Sequence, residues 1–462
     1  MKNIYIIGLL AGSMFFSCSD NELDLPPEDQ LTQDVAFSNE SLALGVLTGA
    51  YSAAQQDDVL NGTWQLGGDW QADNIEFVGS FPTFNDVKNY ETRADNGSVN
   101  GLWDDSYETI GTANLVIKNV PLVEDAGFTP EERANAIAQA KFLRALVYFN
   151  LSNWYAQPLQ LSGGTNLAVP LVTEPFEGTV EFPERATLNQ VQALIEQDLL
   201  DALPALNDAD NSIATRGAAQ ALLARLYLYQ DKFGQAADYA NRAISNSAYA
   251  LATDYTFYNT QSSEFYFTLV NTAADGQESG VGFGSLSNPT PVGRGDAPYS
   301  PNLIAAFAEE AGDLRYSELT QVGIDANQTS RPFSAKFPDG ITDADNAPVL
   351  RVTEMYLTRA EANLRGGTVI GATPLSDINR LRNRAGLLPL VTVSLDQILN
   401  ERRKELCFEG HRRMDLLRNG QNLRRPGQEN VAESAPGQNK VIFPIPVNEL
   451  DLNENLVQNP GY

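Results

Sequence analysis

Residues 215–245, TRGAAQALLARLYLYQDKFGQAADYANRAIS, decide the fold class. At helical period, Ala218, Leu222, Arg225 and Tyr229 fall on one stripe, with Ala221, Ala224 and Leu228 beside it. The first half therefore reads as an amphipathic helix with a broad apolar face. Gln230-Asp231-Lys232 makes a turn, and Phe233 opens a second helix carrying Ala236, Ala240, Ala243 and Ile244. Alanine is the best helix former and leaves room for a close neighbour. Small residues at Ala224, Ala236 and Ala243, with Tyr227 alongside, match the spacing of a tetratricopeptide helical hairpin. Such a hairpin cannot bury its own apolar face, so the rest of the chain is expected to stack further pairs on it. An ordinary antiparallel pair from another all-α fold fits this stretch equally well.

Working outward, the flanks supply those pairs. Ser38 and Asn39 cap a helix to about Gln56, and Leu102–Val123 reads as a second. Thr129-Pro130-Glu131-Glu132 is a strong start for a helix that ends before Pro158. Thr187 caps another, broken at Pro204. Beyond the hairpin, Glu264–Val270 has strand character. Ser300-Pro301 restarts a helix, and Pro348–Arg365, Thr373–Ala385 and Ser394–Arg418 each read as one helix. Two stretches break the pattern: residues 57–100, rich in Gly, Asn, Asp and aromatics, and residues 275–301, rich in glycine and without helical period. Apart from a helix near Trp64–Asn74, they read as long loops, which in compact domains are often functional.

The chain has 462 residues, 59 acids against 31 Lys and Arg, and a formal net charge of −28. The charge is spread rather than clustered, which disfavours nucleic acid and anionic membrane surfaces as partners. With two cysteines and one histidine, a disulfide framework and a His- or Cys-rich metal site are excluded. No cofactor is implied, although carboxylate-bound structural Ca²⁺ stays open. At the N-terminus, Lys2 and the apolar run Ile4–Phe16 read as a secretory signal too short to span a bilayer. Phe15-Phe16-Ser17-Cys18 looks like a lipobox with Cys18 as the lipidated residue, its phenylalanine standing where leucine is usual. The division is then a signal at 1–17, a tether at 18–37 and one domain at 38–462. Within that domain, 38–56, 101–247 and 348–365 form the helical scaffold, 57–100 and 255–347 the loop-rich region, and 349–462 a C-terminal region.

Several motifs, in order along the chain, resemble the SusD/RagB family of outer-membrane nutrient-binding lipoproteins. They are LDLPPEDQLTQDVAFSNE with Gly49–Tyr51, AKFLRALVYFNL at 140–151, ATRGAAQALLARLYLY at 214–229, LRVTEMYLTRAEANLRGG with INRLRNRAGL, ILNERRKELCFEGHRRMDLLRNG, and the ending FPIPVNELDLNENLVQNPGY. The resemblance implies a mainly α fold in which about four tetratricopeptide-like pairs scaffold an irregular region with little β structure. It also implies a non-catalytic lipoprotein at the cell surface that passes oligosaccharides to a SusC-like TonB-dependent outer-membrane transporter, with the membrane reached through the lipid anchor only.

Sugars are held by aromatic faces covering the ring's C–H face, with amides, carboxylates and arginines reading hydroxyls. In the first loop Trp64 and Trp70 are the candidate stacking faces and Asp69, Asp73 and Asn74 the hydroxyl readers. Phe84 is a further candidate, as are Phe81 and Tyr90. Loop packing fits the two tryptophans equally well, and Trp103 and Trp154 read as core. In the second loop the candidates are Phe283, Arg294, Asp296 and Tyr299. Glu401, Glu405, Glu409 and His411 invite an enzyme reading, but their spacing between arginines reads as salt-bridged packing. Cys407 reads as a buried apolar residue. The acidic balance tilts the ligand toward a neutral glycan such as a β-glucan. A glycan-degrading enzyme and a protein-binding helical scaffold stay as alternatives.

Overall fold

Among the described residues helix accounts for 48% and strand for 7%, so the layers are helix on helix. The computed structural model describes residues 32–275 and 280–462. The signal, Cys18 and most of the tether lie outside them. The first ten helices are α1 (Gln33–Ala36), α2 (Glu40–Ala54), α3 (Thr63–Gln71), α4 (Pro82–Lys88), α5 (Gly97–Asn119), α6 (Pro130–Tyr155), α7 (Leu159–Ser162), α8 (Leu188–Ala202), α9 (Arg216–Tyr229) and α10 (Phe233–Ile244). The second set is α11 (Phe283–Ser287), α12 (Pro301–Ala308), α13 (Leu314–Glu318), α14 (Val352–Gly366), α15 (Pro374–Arg384), α16 (Leu395–Leu406), α17 (Arg412–Leu417) and α18 (Val447–Leu452). Six short strands, β1 (Leu167–Pro170), β2 (Arg185–Thr187), β3 (Phe265–Leu269), β4 (Thr320–Ile324), β5 (Ser330–Ser334) and β6 (Ala347–Arg351), form antiparallel pairs β1–β2, β3–β6 and β4–β5.

The hairpin is α9 and α10. The Thr215 hydroxyl caps α9 by accepting from the Ala218 N–H at 2.9 Å. Ala218, Ala221, Leu222, Ala224, Ala236, Ala240 and Ala243 are all fully buried. Small side chains let these backbones close up, and neighbours cover what the pair exposes. Helix α2 lies on α5, α5 on α6, α6 on α8, α8 on α9, α10 on α14, and α14 on both α15 and α16. Thr129 and Thr187 make capping boxes with Glu132 and Gln190. One apolar cluster runs from Trp64 through Phe142, Leu222 and Leu357 to Phe443, so scaffold and C-terminal region share a core.

Four sequence readings are corrected. The second helix starts at Gly97 rather than Leu102, because the Asn96 side chain caps it by accepting from Val99 N–H. The stretch from Pro348 is strand to Arg351 before α14 begins; pairing with β3 captures it. The helix read over 394–418 is two, since Phe408 (φ 66°) and Gly410 (φ 82°) turn left-handed between α16 and α17. The stretches read as loops hold α4 and α11, besides α3, which matches the helix read near Trp64–Asn74.

Acid spacing on α16 serves packing. Glu401 meets Arg315 at 2.6 Å and Arg382 at 2.7 Å, Glu405 meets Arg384 at 2.6 Å, and Glu409 meets Arg351 at 2.7 Å and Lys336 at 2.6 Å. All of these side chains are buried. Burial pushes the Glu405 carboxyl up, but Arg384, Arg351 and Arg315 outweigh it and hold it at about 2. His411 is buried and held well below its ordinary value, first by desolvation and then by Arg225 and Arg402. Cys407 is a buried free thiol raised to about 11 by burial.

Candidate functional site

Helix α3 turns most of the sequence candidates inward. Gly67 sits where a Cβ would come within 2.7 Å of the Trp64 ring, so the helix packs tightly around its own tryptophan. Trp64, 2% exposed, meets Trp154, Phe443, Phe84 and Trp70 at ring separations of 4.8–6.4 Å. Trp70 is fully buried against Phe77 and Phe84. The expectation that Trp64, Trp70 and Phe84 offer ring faces to a ligand is therefore corrected: they form the centre of the core, where each buried ring contributes a few kcal/mol, about 2–3.

The polar candidates are sealed with them. Asp69 accepts from the Phe408 backbone N–H at 2.9 Å and from the Asn74 amide. Burial lifts its carboxyl to about 7, against the Asn74 hydrogen bond and the Lys336 charge. Asn74 accepts from Arg403 at 2.7 Å. Asp73 receives Arg412 at 2.6 and 2.8 Å, with Arg403 and Arg425 nearby. Burial raises its carboxyl, but these arginines reverse that and hold it below the usual value. All three residues are fully buried; they stitch α3 to the 403–425 segment rather than read hydroxyls. Phe283 stacks on Phe337 at 4.2 Å, and Tyr299 packs on Phe408 at 5.1 Å, each 1% exposed. Tyr90 is buried, its hydroxyl donating to Gln71 O at 2.6 Å.

Arg294 and Phe81 are the candidates that stay at the surface. After α3 the chain runs extended, with Glu76 N–H donating to Pro298 O at 3.1 Å and Val78 N–H to Asp296 O at 2.8 Å. A Cβ on Gly79 would fall 2.5 Å from the Asp296 carboxyl carbon, so only glycine permits this approach. Asp296 is itself nearly sealed and pairs with Arg294 at 2.6 Å. The Arg294 guanidinium then lies over the Phe81 ring, 5.3 Å from its centroid. Phe81 is 37% exposed and precedes Pro82, the first residue of α4.

Between the 76–79 run that leads to Phe81, the end of α4 and the 424–430 segment lies a cleft of about 550 Å³. Lys88 and Asn89 enter from the end of α4. Asn327 comes from the turn between β4 and β5, and Gln428, Glu429 and Asn430 from the far wall. Arg424 ties the walls together, donating to Trp70 O at 2.9 Å and Lys88 O at 3.0 Å, and its Nε has no partner. Two acids, Glu76 and Glu429, face two bases, Lys88 and Arg424, among four amides. That lining suits hydroxyls, which accept from and donate to amides. Arg93, Arg294 and Arg331, the bases able to make the region locally positive, pair with Asp95, Asp296 and Glu76, each at 2.6 Å. The 424–430 segment, Asn327 and the Lys88-Asn89 pair were not singled out by the sequence. The readable signal was Pro426-Gly427 followed by Gln428-Glu429-Asn430, a turn carrying amides. Among the described residues no group of three His, Cys, Asp or Glu side chains is arranged to hold a metal ion.

Family models match two parts of the chain. One described as "SusD family" matches residues 330–462, and one described as "Starch-binding associating with outer membrane" matches residues 23–228. A SusD-like protein P2 of Formosa agariphila is 28% identical, the alignment covering 100% of both chains. A SusD superfamily protein from Bacteroides thetaiotaomicron superposes with TM-score 0.82 at 26% identity, over 90% of this chain and 99% of that one. A structure titled laminarin binding SusD-like protein superposes with TM-score 0.77 at 26% identity, over 92% of this chain and 100% of that one.

Proposed function

Because this chain belongs to the SusD/RagB family, we propose that it is a non-catalytic glycan-binding protein of the outer membrane, and that the cleft between the 76–79 run and the 424–430 segment is where it holds its ligand. The observation that carries the reading is the cleft's lining: four amides and a balanced set of charges, with the exposed Phe81 two residues along the chain from Gly79 in its wall. Balanced charge favours a neutral glycan. The laminarin-binding neighbour supports a β-glucan as the first ligand to try. Glu76 is held by Arg331 at 2.6 Å, a poor arrangement for a proton-donating acid. The other acids drawn toward an enzyme reading, on α16 and in the turn after it, are locked in buried ion pairs. In this reading Cys18 carries the lipid anchor, and the captured oligosaccharide passes to a SusC-like TonB-dependent transporter. No helix among the described residues is long and apolar enough to cross a membrane.

Affinity electrophoresis in gels containing laminarin tests the binding site directly. Retardation of the wild type, reduced in Phe81→Ala and in Asn430→Ala, is the expected result. Equal migration of all three, or new reducing ends released from the glucan, refutes the proposal.

A further inference from the structure

Buried arginines in this protein almost always face a carboxylate. Among the described residues Arg185, Arg413 and Arg424 do not. Arg424 belongs to the cleft above, and Arg413 lies flat on the Trp154 ring at 4.3 Å. Arg185, 6% exposed, stands on the wall of a separate pocket of about 320 Å³, at the seam between the β1–β2 pair and the C-terminal segment. Its donors meet only neutral acceptors: Nε the Ala168 carbonyl at 2.7 Å, Nη1 the Val457 carbonyl at 2.8 Å, and Nη2 the Leu167 carbonyl at 3.1 Å and Asn459 Oδ1 at 2.8 Å. Nη2 also reaches the Tyr155 carbonyl at 3.4 Å. Desolvation with no compensating anion draws the guanidinium down to about 10.

The pocket's lining contains no Asp or Glu, in a chain where acids outnumber bases by nearly two to one. Its lining combines apolar side chains, Leu167, Ile442, Val457 and Pro460, with amides such as Gln157 and Asn439. Leu167 and Val457 are exposed. The nearby Tyr462 ring has the Lys440 ammonium 3.5 Å from its centroid, so no open aromatic face invites a sugar. An unneutralised arginine, neighbouring amides and apolar side chains match the end of a polypeptide: a carboxylate, a peptide group and an apolar side chain. We propose that this pocket receives the free carboxyl terminus of a protein or peptide partner whose last residue is apolar. The carboxylate faces Arg185, and the side chain lies on Leu167 and Val457. This proposal stands apart from the glycan reading, because the two pockets share no lining residue.

Fluorescence anisotropy of the full chain with labelled hexapeptide pools ending in Val, Leu, Ile or Phe tests it. Each pool is offered as the free acid and as the carboxamide. Saturable binding of the free acids is expected, weakened about ten-fold or more in the carboxamides. Arg185 itself ties β1 to the C-terminal segment, so the variants are placed at exposed lining positions. Asn439→Asp and Val457→Asp are each expected to weaken free-acid binding about ten-fold by repulsion, with Tm and retardation by laminarin unchanged. Absence of saturable binding, equal binding of acid and carboxamide, or wild-type affinity in both aspartate variants overturns the proposal.

Discussion

Two halves of one stretch, residues 57–74 and 75–100, read alike and are covered to different extents. Both are rich in aromatics, amides and acids. In the first half, Trp64, Asp69, Trp70, Asp73 and Asn74 are sealed; in the second, Phe77, Phe84 and Tyr90 are sealed too, but Phe81 is exposed and Lys88 and Asn89 line a cleft. The difference lies in what each half meets. Helix α3 enters a socket built by α6 and the C-terminal region, with Trp154 and Phe443 receiving Trp64 and Arg412 receiving Asp73. Helix α4 ends against a turn, 424–430, that leaves a gap instead of filling it. Aromatic and acidic residues thus take a structural or a binding role according to whether distant chain closes over them.

The sharpest way to break this contrast is to truncate a sealed ring. Trp64→Ala or Trp70→Ala is expected to lower stability by about 3–5 kcal/mol, the range for removing a large buried aromatic. Glucan affinity of the folded fraction is expected to stay unchanged. Denaturant unfolding with isothermal titration at a temperature where the variant is folded separates the two effects. A stable variant that has lost glucan would reverse the assignment of the rings.

The ionic core offers a second test of comparable size. Glu409→Gln leaves the buried Lys336 without its carboxylate and the buried Arg351 with Glu405 and Glu264 alone. Removing one partner of a buried pair lowers stability by about 3–5 kcal/mol. A loss within experimental error would show that solvent reaches this network. On the open side the expected effect is smaller and appears in binding: Phe81→Ala weakens glucan binding by about 1–2 kcal/mol, with Tm held within about a degree.

How much of this was legible in the residues depended on the range of the interaction. Caps at Thr129, Thr187 and Thr215 are local, and the helices they open stand where they were read. The small-residue spacing in α9 and α10 identified a stacking surface because the spacing is the surface. Trp103 and Trp154 read as core from helical period, and both are buried. Trp64 and Trp70 have no such period to display: α3 has nine residues, and its partner Phe443 lies more than 300 positions away. The cleft was hidden for the same reason, since its walls come from segments near 80, 327 and 428. Arg294 was read as a ligand candidate in the second loop. That it lies over Phe81 was not, because Gly79 and Asp296 bring those two loops together only in three dimensions.

Asp69 gives the smallest effect and tests whether the first half is as dry as it looks. Its carboxyl is buried among Asn74, the Phe408 N–H, Lys336 and Arg412, and desolvation raises it to about 7. An unfolded aspartate titrates near ~3.9. The folded state therefore binds a proton that the unfolded state has released between those values. The group's contribution to stability is full below about pH 4 and is lost as pH rises through about 7. Between pH 8 and pH 6 this amounts to about 1 kcal/mol in favour of the lower pH. Asp345 also titrates near 7, raised by burial, so the wild-type curve alone does not isolate Asp69. The difference between wild type and Asp69→Asn does: urea midpoints measured at both pH values should show the wild type gaining on the variant as pH falls. A difference that stays flat would mean that water reaches Asp69 and that the seal over α3 is open.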